Sequence, residues 1–382
     1  MKRPLDGIRV LDLTQGHGAA AGTMQLADFG AEVIKIEKPG VGDISRAWSP
    51  RYNGESLYFA MLNRGKKSVE ADLATEEGRA LVRELSRLCD VVVENTNSDF
   101  LKENGLDYET LSQDHPGLIY VRVTGFGENE RYKGRVYHEV NFQAASGFTD
   151  VTGFGDQPPQ KIGFPVASYF TANNVSMGVV MALISRKKTG RGQKISLSMA
   201  TALFDGLEDK LAHYSISHIT PVRVGNAHPM IAPYDTFETA DGYLALGVST
   251  DQQWVNFCTA IGREDLLAVE EYASNESRGL AYWTGLREEL ESHTRTLTTD
   301  ELIKLLDGVV PMSRVTPLEE MVDHPQIQAR EMVIEVESGS MGSVRMPGIP
   351  VKLYGTPGFV ASGAPVLGQH TEEIKALLKH GI

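Results

Sequence analysis

Short apolar runs alternate with amphipathic segments through the first third of the chain, and each kind of segment predicts a different element. The apolar runs predict buried strands at Ile8–Leu13, Ala31–Ile36, Val91–Val93 and Leu118–Thr124. The amphipathic segments Ala19–Phe29 and Glu77–Leu88 predict helices between these strands. This order of elements is typical of βαβ units, so the pattern predicts an α/β fold built on a parallel sheet.

The rest of the chain predicts a buried helix and a second, smaller domain. An apolar stretch from about Thr171 to Ile184 predicts the helix, and Tyr234–Thr250 predicts a hairpin that turns at Asp241–Gly242. Further helices are predicted at Asp251–Ile261, Tyr282–His293 and Thr299–Leu306. The predicted domains are a large one over residues 1–222, completed by 325–382, and a small α+β one over 223–324.

Composition and charge narrow the classes of function. The 382 residues are 41% hydrophobic, which is enough for a large core. Fifty acidic against 37 basic residues give a formal charge of −13, which argues against nucleic acid or an anionic membrane as the main partner. A local basic pocket for a small anionic ligand remains compatible with this charge.

Neither a targeting segment nor a metal site is expected. The N-terminus "MKRPLDGIRVLDL" lacks the apolar run of a signal peptide, and the apolar stretch near Met177–Ile184 is too short to span a membrane. Cys89 and Cys258 have neither metal-ligand nor redox spacing and are expected to be buried apolar side chains. We therefore expect a cytoplasmic protein.

The turn after the first strand, "TQGHGAAAG", nearly matches the dinucleotide-binding fingerprint. Gly16, Gly18 and Gly22 follow the strand, and Glu37 ends the second strand where an acid would bind a ribose. The third glycine is one residue late, so the match is weak. An NAD-dependent dehydrogenase is an alternative that predicts retention of nicotinamide.

A polar cluster is predicted in the middle of the chain. His138 and Glu139 follow a Gly-rich turn, and Ser168 comes thirty positions after His138, behind Gly163 and Pro165. Polar side chains beside a Gly/Pro loop and a buried helix are typical of enzyme sites.

Several segments together carry a family resemblance that covers nearly the whole chain. They are "ADFGAEVIKIEKPGVGD", "NRGKKSV", "KTGRGQ", "GNAHPMIAPYDTF" and "LGQHTEEI". The chain resembles the family III CoA-transferases, which include the α-methylacyl-CoA racemases. The resemblance implies a Rossmann-like large domain that binds no nicotinamide, an interlocked homodimer, and acyl-CoA and carboxylic acids as substrates.

Enzymes of this family use an aspartate that attacks the donor thioester and forms a mixed anhydride. The resemblance implies that Ser168, in the motif "GFPVAS", occupies the position of that aspartate. A serine ester is less activated than an anhydride, so it would transfer its acyl group to CoA poorly. Three hypotheses follow. In one, Glu139 serves as the carboxylate, and in another, the aspartate was replaced in this chain. Alternatively, this chain is a silent CoA-binding subunit of a hetero-oligomer, and an aspartate-bearing paralogue supplies the carboxylate.

The resemblance also implies ligand contacts. His17 occupies a position where formyl-CoA transferases carry a glutamine that helps stabilise the acyl intermediate. The residues implied to contact CoA or close over the acyl group are Lys38, Asn95, Arg64, Lys66, Arg135, Tyr137 and Met199. After Asn95 the segment "ENTNSDF" departs from the family pattern, so one CoA-binding loop is altered.

An acyl-CoA racemase or epimerase is the main alternative to a transferase. The segment "YHEVNF" matches the racemase pattern, in which the histidine at His138 works with the aspartate thirty residues later. Ser168 removes that second proton carrier, and His138 also has a structural interpretation as a helix cap. We therefore predict an enzyme that moves CoA between carboxylic acids.

Overall fold

The structure, a computed structural model, describes residues 2–96, 98–128, 130–132 and 135–380. The chain divides into two compact units. The large unit comprises residues up to 148, 161–218 and from 325 onwards, and the small unit comprises 149–160 and 219–324. This division differs from the predicted one, because 149–160 fold with the small unit, where Gly225 N–H donates to the Gly153 carbonyl at 2.8 Å.

The elements below are those of the described residues. The strands are β1 (Arg9–Leu13), β2 (Glu32–Glu37), β3 (Arg51–Tyr52), β4 (Glu55–Ser56), β5 (Lys66–Glu70), β6 (Val91–Glu94), β7 (Ile119–Thr124), β8 (Lys194–Ser198), β9 (Tyr234–Glu238), β10 (Tyr243–Gly247), β11 (Met312–Arg314), β12 (Val333–Glu337) and β13 (Ser343–Pro347). The α-helices are α1 (Ala19–Asp28), α2 (Leu57–Asn63), α3 (Glu76–Leu88), α4 (Ser98–Glu103), α5 (Tyr108–Asp114), α6 (Glu139–Ala145), α7 (Phe148–Val151), α8 (Val166–Thr189), α9 (Met199–Phe204), α10 (Glu208–Ser217), α11 (Asp251–Ala260), α12 (Asn275–Ala281), α13 (Leu286–Thr294), α14 (Thr299–Leu306), α15 (Leu318–Met321), α16 (Pro325–Ala329) and α17 (Thr371–His380).

A six-stranded parallel sheet organises the large unit. Its strand order is β5-β2-β1-β6-β7-β8, and every neighbouring pair is parallel. Residues of α1 and α8 pack on one face around Val10 and Val91, whereas α3 and α17 cover the other face around Leu11 and Val92. Helices on both faces bury the strands, which explains their continuous apolar runs. The predicted α/β fold is confirmed.

Helix α8 is longer than its apolar stretch indicated. It begins at Val166 rather than near Thr171, and it ends where Gly190 takes the left-handed conformation at φ 72°. Ser168 therefore lies in its first turn. The expectation that this stretch is too short to span a membrane is therefore not met: by length and composition, α8 alone among the described helices could cross one, and 39% of its apolar window is buried. Core helices of soluble proteins pass the same test.

The small unit has its own core. The predicted hairpin is present as β9 and β10, with Thr239 N–H donating to the Gly242 carbonyl across the turn at 3.0 Å. Strand β11 pairs with β10 to complete a three-stranded antiparallel sheet. Phe237, Leu244 and Trp254 are buried against the surrounding helices. The α+β architecture predicted for this part of the chain follows from these contacts.

Charged side chains are buried between the strands of the large unit. Asp12 of β1 lies opposite Lys35 of β2 in the sheet register, and both side chains are fully buried. Lys66 Nζ lies 2.8 Å from Asp12 Oδ2, and Lys35 Nζ lies 2.8 Å from Asp43 Oδ2. Nearby, Arg46 pairs with both carboxylate oxygens of Glu37 at 2.7 Å. Each buried charge therefore has an opposite partner, as burial requires.

We expect the stabilising effect of Glu37 to depend on pH. Burial would raise the pKa of Glu37, but hydrogen bonds from Arg46 and Ser68 and nearby positive charge outweigh it and lower the pKa. A depressed pKa in the folded state gives stability that is present above the unfolded pKa of about 4.3 and is lost as the pH falls. Urea unfolding should therefore show a stability gap between wild type and Glu37→Gln that shrinks below about pH 4. A gap that stays constant down to about pH 3 would contradict this assignment.

Candidate active site

The Glu139 carboxylate lies at the N-terminus of α8. The residue before this helix is Pro165, whose side chain cannot accept a hydrogen bond from the first-turn N–H groups. Glu139 does so instead: it accepts from Ala167 N–H at 2.8 Å, from Ser168 N–H at 3.1 Å and from Ser168 Oγ at 2.8 Å. A carboxylate is favoured here because a helix N-terminus carries partial positive charge.

A fourth donor completes the surroundings of this carboxylate. Gln143, one turn further along α6, donates from Nε2 to Glu139 Oε1 at 3.0 Å. The Gln143 amide oxygen accepts from Ile162 N–H at 2.8 Å, which ties the segment before α8 to α6. Four donors match the four lone-pair directions of a carboxylate. Sequence reasoning missed Gln143, although its spacing from Glu139 places both on one helix face.

His138 lies at the N-cap of α6, directly before Glu139. It precedes α6, and its backbone N–H donates to Asn141 Oδ1 at 2.9 Å. Its side chain is exposed. Among the described residues, no hydrogen bond joins its ring to Glu139 or Ser168. This arrangement agrees with the structural interpretation of His138 and gives no support to its role as a racemase base.

The first backbone N–H groups of the loop after β1 are used inside the protein. Three consecutive backbone N–H groups donate to side chains of the protein: Thr14 to Asp12 at 2.8 Å, Gln15 to Asn95 at 2.8 Å and Gly16 to Asp43 at 3.1 Å. The Glu37 carboxylate, which would bind a ribose in a dehydrogenase, is occupied by Arg46 and Ser68. The NAD alternative therefore finds no support in these groups.

His17 follows this loop and lies near Glu139. Its ring contacts Tyr58 and Tyr169, with ring centres 6.3 and 5.9 Å away, and its Nδ1 is buried without a hydrogen-bond partner among the described residues. Burial lowers the pKa of His17, and the negative charge of Glu139 partly opposes that shift. Neither tyrosine was singled out from the sequence, where lone aromatic residues carry little signal.

Gly18, in the loop between β1 and α1, lies close to the side chains of Met199 and of Thr171 in α8. Gly18 has φ +60°, and a Cβ on it would lie 3.3 Å from Met199 Cε and 3.6 Å from Thr171 Cγ2. Glycine therefore allows both a left-handed backbone and this close approach. The structure thus brings His17, Glu139, Ser168 and Met199 to the ends of α1, α6, α8 and α9.

Two cavities of the large unit are lined in part by residues that the sequence predicted. One, of about 1850 Å³, is lined mainly by apolar side chains and includes His17, Tyr58 and Tyr169. The second, of about 940 Å³, includes Tyr137 and Arg135. The Tyr137 ring packs 4.3 Å from that of Phe126, and its hydroxyl is buried without a hydrogen-bond partner among the described residues. The guanidinium of exposed Arg135 lies 5.0 Å from the centre of the Tyr132 ring. Arg135 and Tyr137, both predicted to contact the ligand, thus line a cavity that a ligand could enter.

Arg64 and Lys66 are both bonded inside the protein, although Arg64 also lines the larger cavity. Arg64 is buried, with two of its nitrogens on the Asp28 carboxylate and a third on the Pro347 carbonyl. Lys66 is fully buried, and its three hydrogen bonds go to Asp12, Ala20 and Asn63. Neither cation is free for an anionic ligand. Lys38, by contrast, is exposed just after β2.

Asn95 is bonded to the backbone of the loop after β1. Its side-chain amide accepts from Gln15 N–H and donates to the Gln15 carbonyl, both at 2.8 Å. Both polar atoms of the side chain are therefore used inside the protein. Each atom keeps one further hydrogen-bonding position, a lone pair on Oδ1 and an N–H on Nδ2.

Acyl-group transfer through an anhydride needs a carboxylate near backbone N–H groups that can stabilise an oxyanion. The α8 N-terminus places the Glu139 carboxylate beside such N–H groups, so fold and site are compatible with an α/β enzyme of the acyl-transfer class. Comparison with known proteins gives the family. The family model described as CoA-transferase family III matches residues 5–371, and the chain belongs to that family.

Individual relatives match over almost their whole length. A succinate–glutarate CoA-transferase of Agrobacterium fabrum is 38% identical, covering 99% of this chain and 96% of that protein. A succinyl-CoA:mesaconate CoA-transferase of Haloarcula hispanica is 36% identical, covering 97% and 95%. The crystal structure of a CAIB/BAIF family protein from Brucella suis has a TM-score of 0.89 at 35% identity, covering 99% and 100%. These relatives confirm the predicted enzyme class, a CoA-transferase.

Proposed function

We propose that this enzyme exchanges CoA between two dicarboxylic acids, with succinyl-CoA as a donor, and that Glu139 carries the acyl group. Two CoA-transferase relatives have succinate or succinyl-CoA in their names, paired with the five-carbon diacids glutarate and mesaconate. The observation that carries the proposal is the Glu139 carboxylate held at the α8 N-terminus. Ser168 lies beside it and donates to it.

The chemistry balances with one enzyme carboxylate. Glu139 attacks the thioester carbon, the carbon–sulfur bond breaks, and CoA thiolate leaves an acyl–glutamyl anhydride. The thiolate attacks the glutamyl carbonyl and releases the donor acid, which gives a glutamyl-CoA thioester. The acceptor carboxylate displaces CoA to form a second anhydride, and the thiolate then takes the acceptor acyl group and restores Glu139. The free energy of the thioester is retained at each step.

Surrounding groups support these steps. Attack by Glu139 requires one of its four hydrogen-bond donors to withdraw, and the Ser168 hydroxyl can do so by rotating about its side-chain bond. If Oε2 attacks, Oε1 becomes the carbonyl oxygen of the glutamyl anhydride, and it keeps the Ala167 N–H and Gln143 Nε2 as donors. These donors stabilise the charge that develops on Oε1 when CoA thiolate attacks the glutamyl carbonyl. His17 faces the same carboxylate and supplies a ring N–H to the acyl oxygen.

Ser168 as the nucleophile is the second candidate. Its hydroxyl lies 2.8 Å from Glu139 Oε2, within reach for proton transfer to that carboxylate. An acyl-serine ester, however, lacks the activation to regenerate a thioester from a free acid, so it leads to hydrolysis rather than CoA exchange. The established transfer class therefore favours Glu139.

Other parts of the proposal rest on the sequence and on the family resemblance. The enzyme acts as a homodimer, in the cytoplasm, without NAD or a metal. An aspartate-bearing partner subunit is the competing arrangement. Lys38, Arg135, Tyr137 and Met199 remain the proposed contacts for CoA and the acyl group.

Intact mass spectrometry after incubation with succinyl-CoA tests the acyl carrier. We expect a hydroxylamine-labile succinyl or CoA adduct, because the anhydride and the thioester are both activated acyl species. Trypsin separates the two candidates, since cleavage after Arg135 and Lys161 places Glu139 and Ser168 on different peptides. The adduct should map to the peptide of Glu139. An adduct on the peptide of Ser168, or no adduct in a protein that binds CoA, would contradict the proposal.

A further inference from the structure

The loop between β1 and α1 is anchored residue by residue. Its N–H groups at Thr14, Gln15 and Gly16 donate to Asp12, Asn95 and Asp43, which belong to three different segments of the large unit. A backbone whose consecutive donors are each fixed by a side chain has little freedom to move. His17 is the next residue, so its position is set by these anchors.

Asn95 differs from the other two anchors because it makes both bonds to one residue. Its amide accepts from Gln15 N–H and donates to the Gln15 carbonyl, as a neighbouring strand would. The Gln15 side chain continues the chain of contacts by accepting from Ile44 N–H at 3.1 Å. Asp12 and Asp43 also pair with buried lysines, whereas Asn95 is neutral and half-buried. It can therefore be changed without leaving a charge unpaired.

The His17 ring has little support of its own. Its Nδ1 has no partner among the described residues, and its ring contacts are edge-on approaches to Tyr58 and Tyr169. These tyrosines and Glu139 are the titratable groups found near it. Since no hydrogen bond to Nδ1 fixes the ring, the backbone that Asn95 holds decides where it lies.

We propose that Asn95 is a positioning residue that acts on the reaction through His17 rather than by binding CoA. The inference rests on the proposed function in one respect: His17 must contact the acyl group. Small displacements of a group that contacts the reacting atoms are costly, since a misplacement of about 1 Å can lower a rate about 100-fold.

Steady-state kinetics of the full-length enzyme give the first test. Asn95→Ala should lower kcat by about 10- to 100-fold and leave KM for succinyl-CoA within about threefold, because alignment is lost and not binding. In a His17→Ala background, Asn95→Ala should lower kcat by less than about twofold, since Asn95 acts on the reaction only through His17. A rise in KM with kcat unchanged would identify Asn95 as a CoA contact and overturn the proposal, as would equal losses in both backgrounds.

A second measurement needs no substrate. Histidine-labelled protein should show a His17 signal, assigned by its absence in His17→Gln, whose pKa lies below the ordinary value because the ring is buried. Asn95→Ala should raise that pKa, since a loosened loop lets water reach the ring. Asn104→Ala is the matched control, because Asn104 also bonds a backbone carbonyl, that of Phe100, outside this loop. An unchanged His17 titration in Asn95→Ala would overturn the proposal even if Glu139 proves to be the acyl carrier.

Discussion

Replacing Glu139 by glutamine is expected to lower kcat for CoA transfer by at least about 10³-fold, because an amide cannot form the anhydride that carries the acyl group. The glutamine oxygen can still accept from one first-turn N–H of α8, so the fold should persist. CoA binding measured by calorimetry should remain within about threefold of wild type, because Glu139 is not assigned a contact with CoA. The hydroxylamine-labile adduct should disappear.

Changes at Ser168 give the matched control for this prediction. Ser168→Ala removes one of the four donors to Glu139 and leaves the carboxylate in place, so kcat should stay within about tenfold of wild type. Loss of transfer in Ser168→Ala with transfer retained in Glu139→Gln would reverse the two roles. Activity that arises only in Ser168→Asp would show that the chain has no nucleophile of its own and would remove the proposal for Glu139.

The sheet was predictable because burial on both faces leaves a direct signal in the sequence. Strands β1, β6 and β7 are apolar throughout, apart from residues at their ends and charged residues that are paired. The start of α8 was not recognised. The segment "GFPVAS" reads as a Gly/Pro loop, yet proline is favoured at the beginning of helices and was itself a signal that the helix starts at Val166.

The site was predictable only in part, for a physical reason. The sequence identified Glu139 and Ser168, but their contact joins two helices whose first turns are far apart in the chain. The basic run "NRGKKSV" shows a second limit of the sequence. The family resemblance implied that its cations contact CoA, whereas Arg64 and Lys66 pair with Asp28 and Asp12 from distant segments. Only tertiary structure decides whether a charge meets solvent, a ligand or a buried partner.

The buried charges of the large unit also bear on the site. Asp12 binds Lys66 and at the same time accepts from Thr14 N–H and the Thr14 hydroxyl. Asp43 likewise joins Lys35 to the Gly16 N–H. The same two aspartates therefore hold both the buried lysines and the loop that contains His17. This connection explains why charged residues occupy a core that apolar side chains could fill.

Replacing Asp12 by asparagine should therefore have the largest effect on stability. Burial would raise the pKa of Asp12, but the charges of Lys35 and Lys66 outweigh it and keep the carboxylate ionised. Removing that charge leaves Lys66 buried without an ionic partner, which typically costs about 3–5 kcal/mol. The asparagine keeps the shape of the side chain, so little of the loss comes from a cavity. Urea unfolding at pH 7 measures this loss in the free energy of unfolding.

A double variant separates the unpaired charge from other causes. Lys66→Met in the Asp12→Asn background removes the buried cation and should recover part of the lost stability, because an apolar side chain needs no partner there. Lys35 stays paired with Asp43 in both variants. If the double variant is less stable than Asp12→Asn alone, the unpaired charge of Lys66 is not the main cause of the loss. The hydrogen bonds of Lys66 to Ala20 and Asn63 then contribute more than the removal of its charge recovers.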